Sequence, residues 1–390
     1  MPIWINKASL YLFAWSLYYS QGLILPVGSV FGQILVALLL VVSLYYFFVA
    51  NTRYKVPAYF YGLNVLLIMF FIYGLYLILA GYDSLDYSIH VNQSDYLKQI
   101  LISLIPVYPF FVFSKENLID EKFLAISFFL LFCLTVGNYY ENQSKLLYMA
   151  LLKGSKTEEF TNNVGYEFLA LIPLSIFLYK KPMLQYLALG ACVLFLILSM
   201  KRGAIVIGLL CLLWYVWNNV KKVSIKKKIG FLTLFFIICA IGYFFVELQM
   251  QNSVLFQKRI EDSLNGNSSG RDGLYSLLIG YFWNGTSPLQ FIFGSGANAT
   301  LKVASNYAHN DWLEIAVNQG VVGIIVFAFY WVMFVKEILS NSFAKQVKLA
   351  LQLVVLTSFL QTIFSMSYGS MGYITMLTLG FCLAKENANG

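Results

Sequence analysis

Long apolar runs recur along the whole chain, and they constrain the fold more than any other feature. Each is about 17 to 25 residues, enough to cross roughly 30 Å of hydrocarbon as a helix. About twelve fit, near 8–24, 28–50, 57–81, 97–114, 122–139, 164–180, 184–200, 203–220, 229–247, 315–335, 348–367 and 369–384. They do not alternate polar with apolar residues, so they are not barrel strands, and in lipid only a helix satisfies its own backbone within one segment. With 59% hydrophobic and 11% charged residues and a mean hydropathy of +0.72, nothing is left over for an independent soluble domain. The sequence therefore predicts one all-α domain over 1–390, a polytopic membrane helical bundle. Lys7 precedes the first run without a small-residue cleavage pattern after it, which reads as a retained helix.

Lysine and arginine set the orientation. With the N-terminus inside, the inner segments collect sixteen of the 26 basic residues and five of the 18 acids, so the inside carries +11 and the outside −3. The formal charge of +8 is thus a matter of topology and calls for no nucleic-acid partner. Lys226-Lys227-Lys228 reads as a topology anchor. The outer segment 248–313 is long, polar and rich in Asn, Gly and Ser, and long loops in compact proteins are functional or disordered. A smaller outer loop spans 139–163, where Lys145–Lys153 reads as a short interfacial helix.

Chemistry-bearing residues are few. The five cysteines (Cys133, Cys192, Cys211, Cys239, Cys382) all lie in apolar runs without CxxC spacing, which argues against disulfides or zinc. No acidic cluster offers an oxygen cage for magnesium. His90 falls in a short polar loop and reads as solvated. His309 sits where a polar loop turns into an apolar helix; Ser305 or Asn306 as cap would put it in the first turn, where the positive helix end disfavours imidazolium. It is then either a neutral proton acceptor or an interfacial histidine that satisfies backbone groups. Lys201 and Arg202 form a cation pair at an outside junction, against the positive-inside preference: Arg202 either anchors the helix end or holds an anionic lipid head. Arg271 stands between glycines at 270 and 273 that permit close backbone approach, although Asp272 offers it a partner. Phe293-Gly294-Ser295-Gly296 lacks the lysine and strand-to-helix context of a nucleotide loop.

The stretch from His309-Asn310-Asp311-Trp312-Leu313-Glu314 to Asn318-Gln319-Gly320-Val321-Val322-Gly323 resembles the signature of the bacterial O-antigen ligase and O-antigen polymerase superfamily. That pattern is a histidine often followed by Asn or Ser, a leucine four residues on, and a Gly-x-x-Gly beyond it. Arg202-Gly203-Ala204 and Ser269-Gly270-Arg271 resemble the family's other two marks, in the family's order. The specific likeness covers about 195–325, and the first half agrees in hydropathy alone.

The resemblance implies a GT-C-like fold in the bacterial inner membrane with an active site facing the periplasm. It also implies transfer of a glycan from undecaprenyl diphosphate to a sugar hydroxyl, with neither metal nor other cofactor. Carried over by position, His309 is the base or acceptor-orienting group, and Arg202 and Arg271 hold the diphosphate. Their neighbours Lys201, Tyr307 and Asn310 contact substrate. Implied partners are the lipid-linked glycan, a glycan or lipid A core acceptor, membrane lipids and a chain-length regulator. Where the family often has an acid before the glycine, this chain has Asn318-Gln319-Gly320. The shared motifs leave polymerase and ligase open, with a lean to polymerase because no extra acceptor-binding domain is evident. A flippase or transporter is the other class, but such proteins carry midplane ionisable residues or paired broken helices. Here Lys201, Arg202 and Glu167 lie near span ends and the halves do not mirror each other.

Overall fold

The computed structural model describes residues 6–80, 93–152, 162–220, 271–340, 342–365 and 372–385, with isolated positions between 233 and 261. Its elements are α1 (Lys7–Tyr19), α2 (Val30–Arg53), α3 (Ala58–Ala80), α4 (Gln93–Leu104), α5 (Val107–Lys115), α6 (Glu121–Leu152), α7 (Gly165–Ser175), α8 (Pro182–Leu198) and α9 (Arg202–Val220). After these come α10 (Arg271–Asn284), α11 (Pro288–Phe293), α12 (Ala299–Ala304), α13 (Asp311–Ser340), α14 (Lys345–Phe364) and α15 (Gly372–Ala384). No strand occurs among the described residues beyond one isolated bridge, Gln21 to Leu25. Six helical segments there are long and apolar enough to cross a membrane, and three shorter apolar ones accompany them. Of the twelve expected spans, 229–247 falls mostly outside the described residues, as do His90, Cys239 and Lys226-Lys227-Lys228.

Local chemistry explains most boundaries. Asn6 starts α1 with a capping box, its carboxamide accepting from Ala8 and Ser9 while Ser9 answers the Asn6 N–H at 3.0 Å. Ser29 caps α2 and Arg53 sits in its last turn, where the helix end is negative. Helices then meet through small residues, since lipid supplies no hydrophobic drive between them. A Cβ on Gly62 of α3 would lie 2.9 Å from Tyr330 Cα of α13, so that pair packs backbone to backbone. Outward, the helices show large apolar side chains such as Val41, Phe48, Leu79 and Leu339, as lipid-facing surfaces do.

The two ends of the bundle divide as the charge pattern predicts. One gathers Lys7 on Glu116 at 2.5 Å, Lys180 on Glu121 at 3.1 Å and Lys385 near Asn117 at 3.5 Å. The other gathers the turn at 199–201, the loop at 162–164 and helices α10 to α12. Asn162 ties that loop to the rest, donating its N–H to Ser199 O at 3.1 Å and its carboxamide to Tyr139 O at 2.9 Å.

Several expectations need correction. The expected interfacial helix at Lys145–Lys153 is instead the end of α6, which runs unbroken for 32 residues. The run 97–114 breaks into α4 and α5 around Pro106, whose ring removes a helical donor. The run expected at 315–335 begins at Asp311 and kinks at Gly320, where φ is +68° and ψ −159°. The described part of the long loop, 271–313, is helical in large part: α10 and α12 pack against the first turns of α13 around Leu278, Ala299, Ala308 and Val317.

Candidate active site

The site forms where four helix ends meet. His309 is not in the first turn of α13, as the sequence suggested. It lies two residues before that helix in the left-handed region, at φ +52°, which few side chains other than glycine adopt. Ser305 belongs to the preceding element and closes α12 with its N–H on Leu301 O. Asn310 caps α13, accepting from Leu313 N–H at 3.1 Å, and its amide donates to Ile363 O at the end of α14 at 3.3 Å.

What fixes the strained loop is Glu314. Its buried carboxylate accepts from Ala308 N–H at 2.8 Å, from Asn318 Nδ2 at 3.1 Å and from the Thr300 hydroxyl. Leaving one member of such a buried hydrogen-bonded group without its partner costs about 1–3 kcal/mol or more. Sequence reasoning noticed Glu314 only as a neighbour of His309. The position occupied by Asn318, without an acid, serves this carboxylate as a donor, and Gln319 donates to the Tyr96 hydroxyl at 3.0 Å.

Gly294 and Gly320 cross backbone to backbone beside this network, with no room for a Cβ on either. The turn at 293–296 is a docking strand for α13: Ser295 N–H donates to Val317 O at 2.9 Å and Gly296 N–H to Asn318 O at 3.0 Å. These amides are committed, so the turn is no phosphate cradle.

Arg271 donates from Nη1 to Phe364 O at 3.0 Å, placing a cation at the negative end of α14. Lys201 is set by Met200, itself left-handed at φ +53°, and its carbonyl accepts the first bond of α9 from Ile205. Burial, Arg271 and then Lys201 hold the His309 imidazole below its ordinary value, so it is neutral near pH 7. The structure thus brings His309, Arg271 and Lys201 together. His309 and Lys201 line one cavity of about 560 Å³, with walls from α1, α4, α7, α14 and α15. Arg202 follows Lys201 as the first residue of α9 and does not line that cavity. Neither do Tyr307, half-buried with its phenol pushed up by burial and by Glu314 and Asp95, nor Asn310. Sequence reasoning missed the opposite wall, where Glu167, Tyr166, Gln361 and Ser358 face the same space.

A second cavity, about 900 Å³ and apolar, lies between α9, α13 and α14 and is lined by Trp214, Trp331, Val355, Leu356 and Phe359. On α14 the two sets alternate: Gln352, Val355, Leu356 and Phe359 face the apolar cleft, and Thr357, Ser358, Gln361 and Ser365 the polar cavity. At 3.6 residues per turn these are opposite faces of one helix. Its C-terminal end meets Arg271, Asn310 and Trp312, whose Nε1 donates to Thr362 at 3.1 Å.

Fold and site together define a multi-pass helical membrane protein with an imidazole and two cations grouped at one end of its bundle. Residues 187–328 match the family described as O-antigen ligase, a match that supports the O-antigen ligase and polymerase superfamily for that segment. The match takes in Lys201, Arg202, Arg271, Tyr307, His309, Asn310 and Glu314, and leaves out the α7, α14 and α15 walls of the polar cavity. No curated protein matches the chain.

Proposed function

We propose that this protein is a glycosyltransferase of the bacterial inner membrane. In this reading it moves a glycan from undecaprenyl diphosphate to a sugar hydroxyl on the periplasmic side, without a metal. The observation that carries it is the neutral His309 imidazole facing a polar cavity beside Lys201 and Arg271. A departing lipid diphosphate needs its charge stabilised, and arginine and lysine do this without reorganising at the moment of reaction. Lys201 and Arg202 stand at the N-terminal, positive end of α9, an end that favours an anionic ligand. His309 takes the proton from the attacking hydroxyl, the hydroxyl oxygen bonds the anomeric carbon, and the diphosphate leaves with the electron pair. The apolar cleft on the far face of α14 suits the hydrocarbon chain of the carrier.

Polymerase is the first reading, supported by a polar cavity of a size that suits a short glycan end. Ligase is the second reading, favoured by the description of the matched family. Lipopolysaccharide gels of a strain lacking the gene, complemented with wild type or His309→Ala, separate them. A single repeat on the core in the His309→Ala strain indicates a polymerase, bare core with lipid-linked polymer a ligase. A full ladder from His309→Ala removes the assignment.

A further inference from the structure

Glu167 is the acid that the reading above leaves without a task. It lies in the first turn of α7, inside an apolar helix, and faces the polar cavity across from Lys201 and His309. Asn138 donates to it, and it bears electrostatically on the rings of Tyr19 and Tyr373, which stack with centroids 4.8 Å apart. An ionisable side chain in a membrane helix is costly and marks function by default, and it faces an interior space when it persists.

The space itself narrows the occupant. From Ser365, which caps α14, back to Thr357 the cavity follows eight residue steps of that helix, roughly 12 Å along its axis. Its wall mixes hydroxyls, amides and a carboxyl group (Thr357, Ser358, Gln361, Thr375, Glu167) with apolar side chains (Ile102, Leu169, Ile374), a lining that pairs with both the hydroxyls and the apolar faces of a sugar. At about 560 Å³ it is within the size range of small-molecule sites.

Building on the glycosyltransferase reading, we propose that this cavity is the acceptor subsite. Glu167 accepts hydrogen bonds from hydroxyls of an uncharged sugar at the acceptor's end and so presents the attacking hydroxyl to His309. The lipid carrier is excluded from this hole and keeps to the apolar face of α14.

Binding separates this proposal from the transfer reading. The repeat-unit oligosaccharide, freed from its carrier by mild acid, is titrated into purified full-length protein and followed by calorimetry, with undecaprenyl diphosphate as competitor. Wild type should bind it, and Glu167→Gln about tenfold more weakly, the loss expected for one hydrogen bond. Undecaprenyl diphosphate should not compete. Ser358→Leu, which pushes a side chain into the hole, should abolish binding while leaving the melting temperature near wild type, so the test survives if Glu167→Gln does not fold. Unchanged affinity in both variants, absence of binding to wild type, or displacement by undecaprenyl diphosphate overturns the subsite. None of these alters the His309→Ala gel, on which the transferase reading stands.

Discussion

His309 shows how much of an active group's behaviour is decided by its neighbours. Its side chain is ordinary, but a left-handed backbone turns it out of the helix that follows, and Glu314 anchors the loop that keeps it there. Such strain costs on the order of 1–3 kcal/mol and persists where surrounding contacts over-determine it. Burial first, then Arg271 and Lys201, disfavour the imidazolium. The sign follows directly. A base whose value is depressed stays neutral to lower pH, so the acid limb of transfer should fall below the ordinary histidine value of 6.5. Lys201→Gln removes one of the repelling cations, and the acid limb of the rate profile should then move upward toward that value. A profile that stays in place or moves down would contradict histidine as the titrating base. Little of this was legible in the sequence: the motif pointed to His309, Arg202 and Arg271, with Lys201 only as a neighbour, and three-dimensional proximity alone picks Lys201 over Arg202 as the residue facing the cavity.

At the scale of elements, apolar periodicity located most helices, because length and hydropathy are local properties of the chain. It failed where tertiary contacts act. The extension of α6 to Leu152 and the kink at Gly320 depend on what the helix meets. Gly320 is the sharpest case, since its torsions are open only to glycine and the backbone of Gly294 fills the place of a Cβ. Gly320→Ala should therefore combine conformational strain with a clash against a turn already bonded to Val317 and Asn318. We expect loss of monodisperse protein on fluorescence-detected size exclusion, or a melting temperature lower by several degrees. Wild-type behaviour would show that the crossing is looser than drawn. Helices α10 and α12 carry apolar stripes too short to stand out in the sequence, and these are shielded by docking onto α13.

For the whole molecule, the charge asymmetry counted along the sequence reappears as two chemically distinct ends, and this makes orientation testable. With native cysteines replaced, Asn117→Cys should resist a membrane-impermeant maleimide in spheroplasts and react after lysis. Ser287→Cys, in the turn before α11, should react in both. The opposite pattern would turn the His309 end toward the cytosol and end the periplasmic reading.

The two-faced character of α14 reaches beyond any single contact. A molecule that is oily at one end and sugar-like at the other finds on this helix a partition that accepts each end on a different side. Substrates presented backwards have nowhere to settle, so on our reading the helix selects direction before any bond is made.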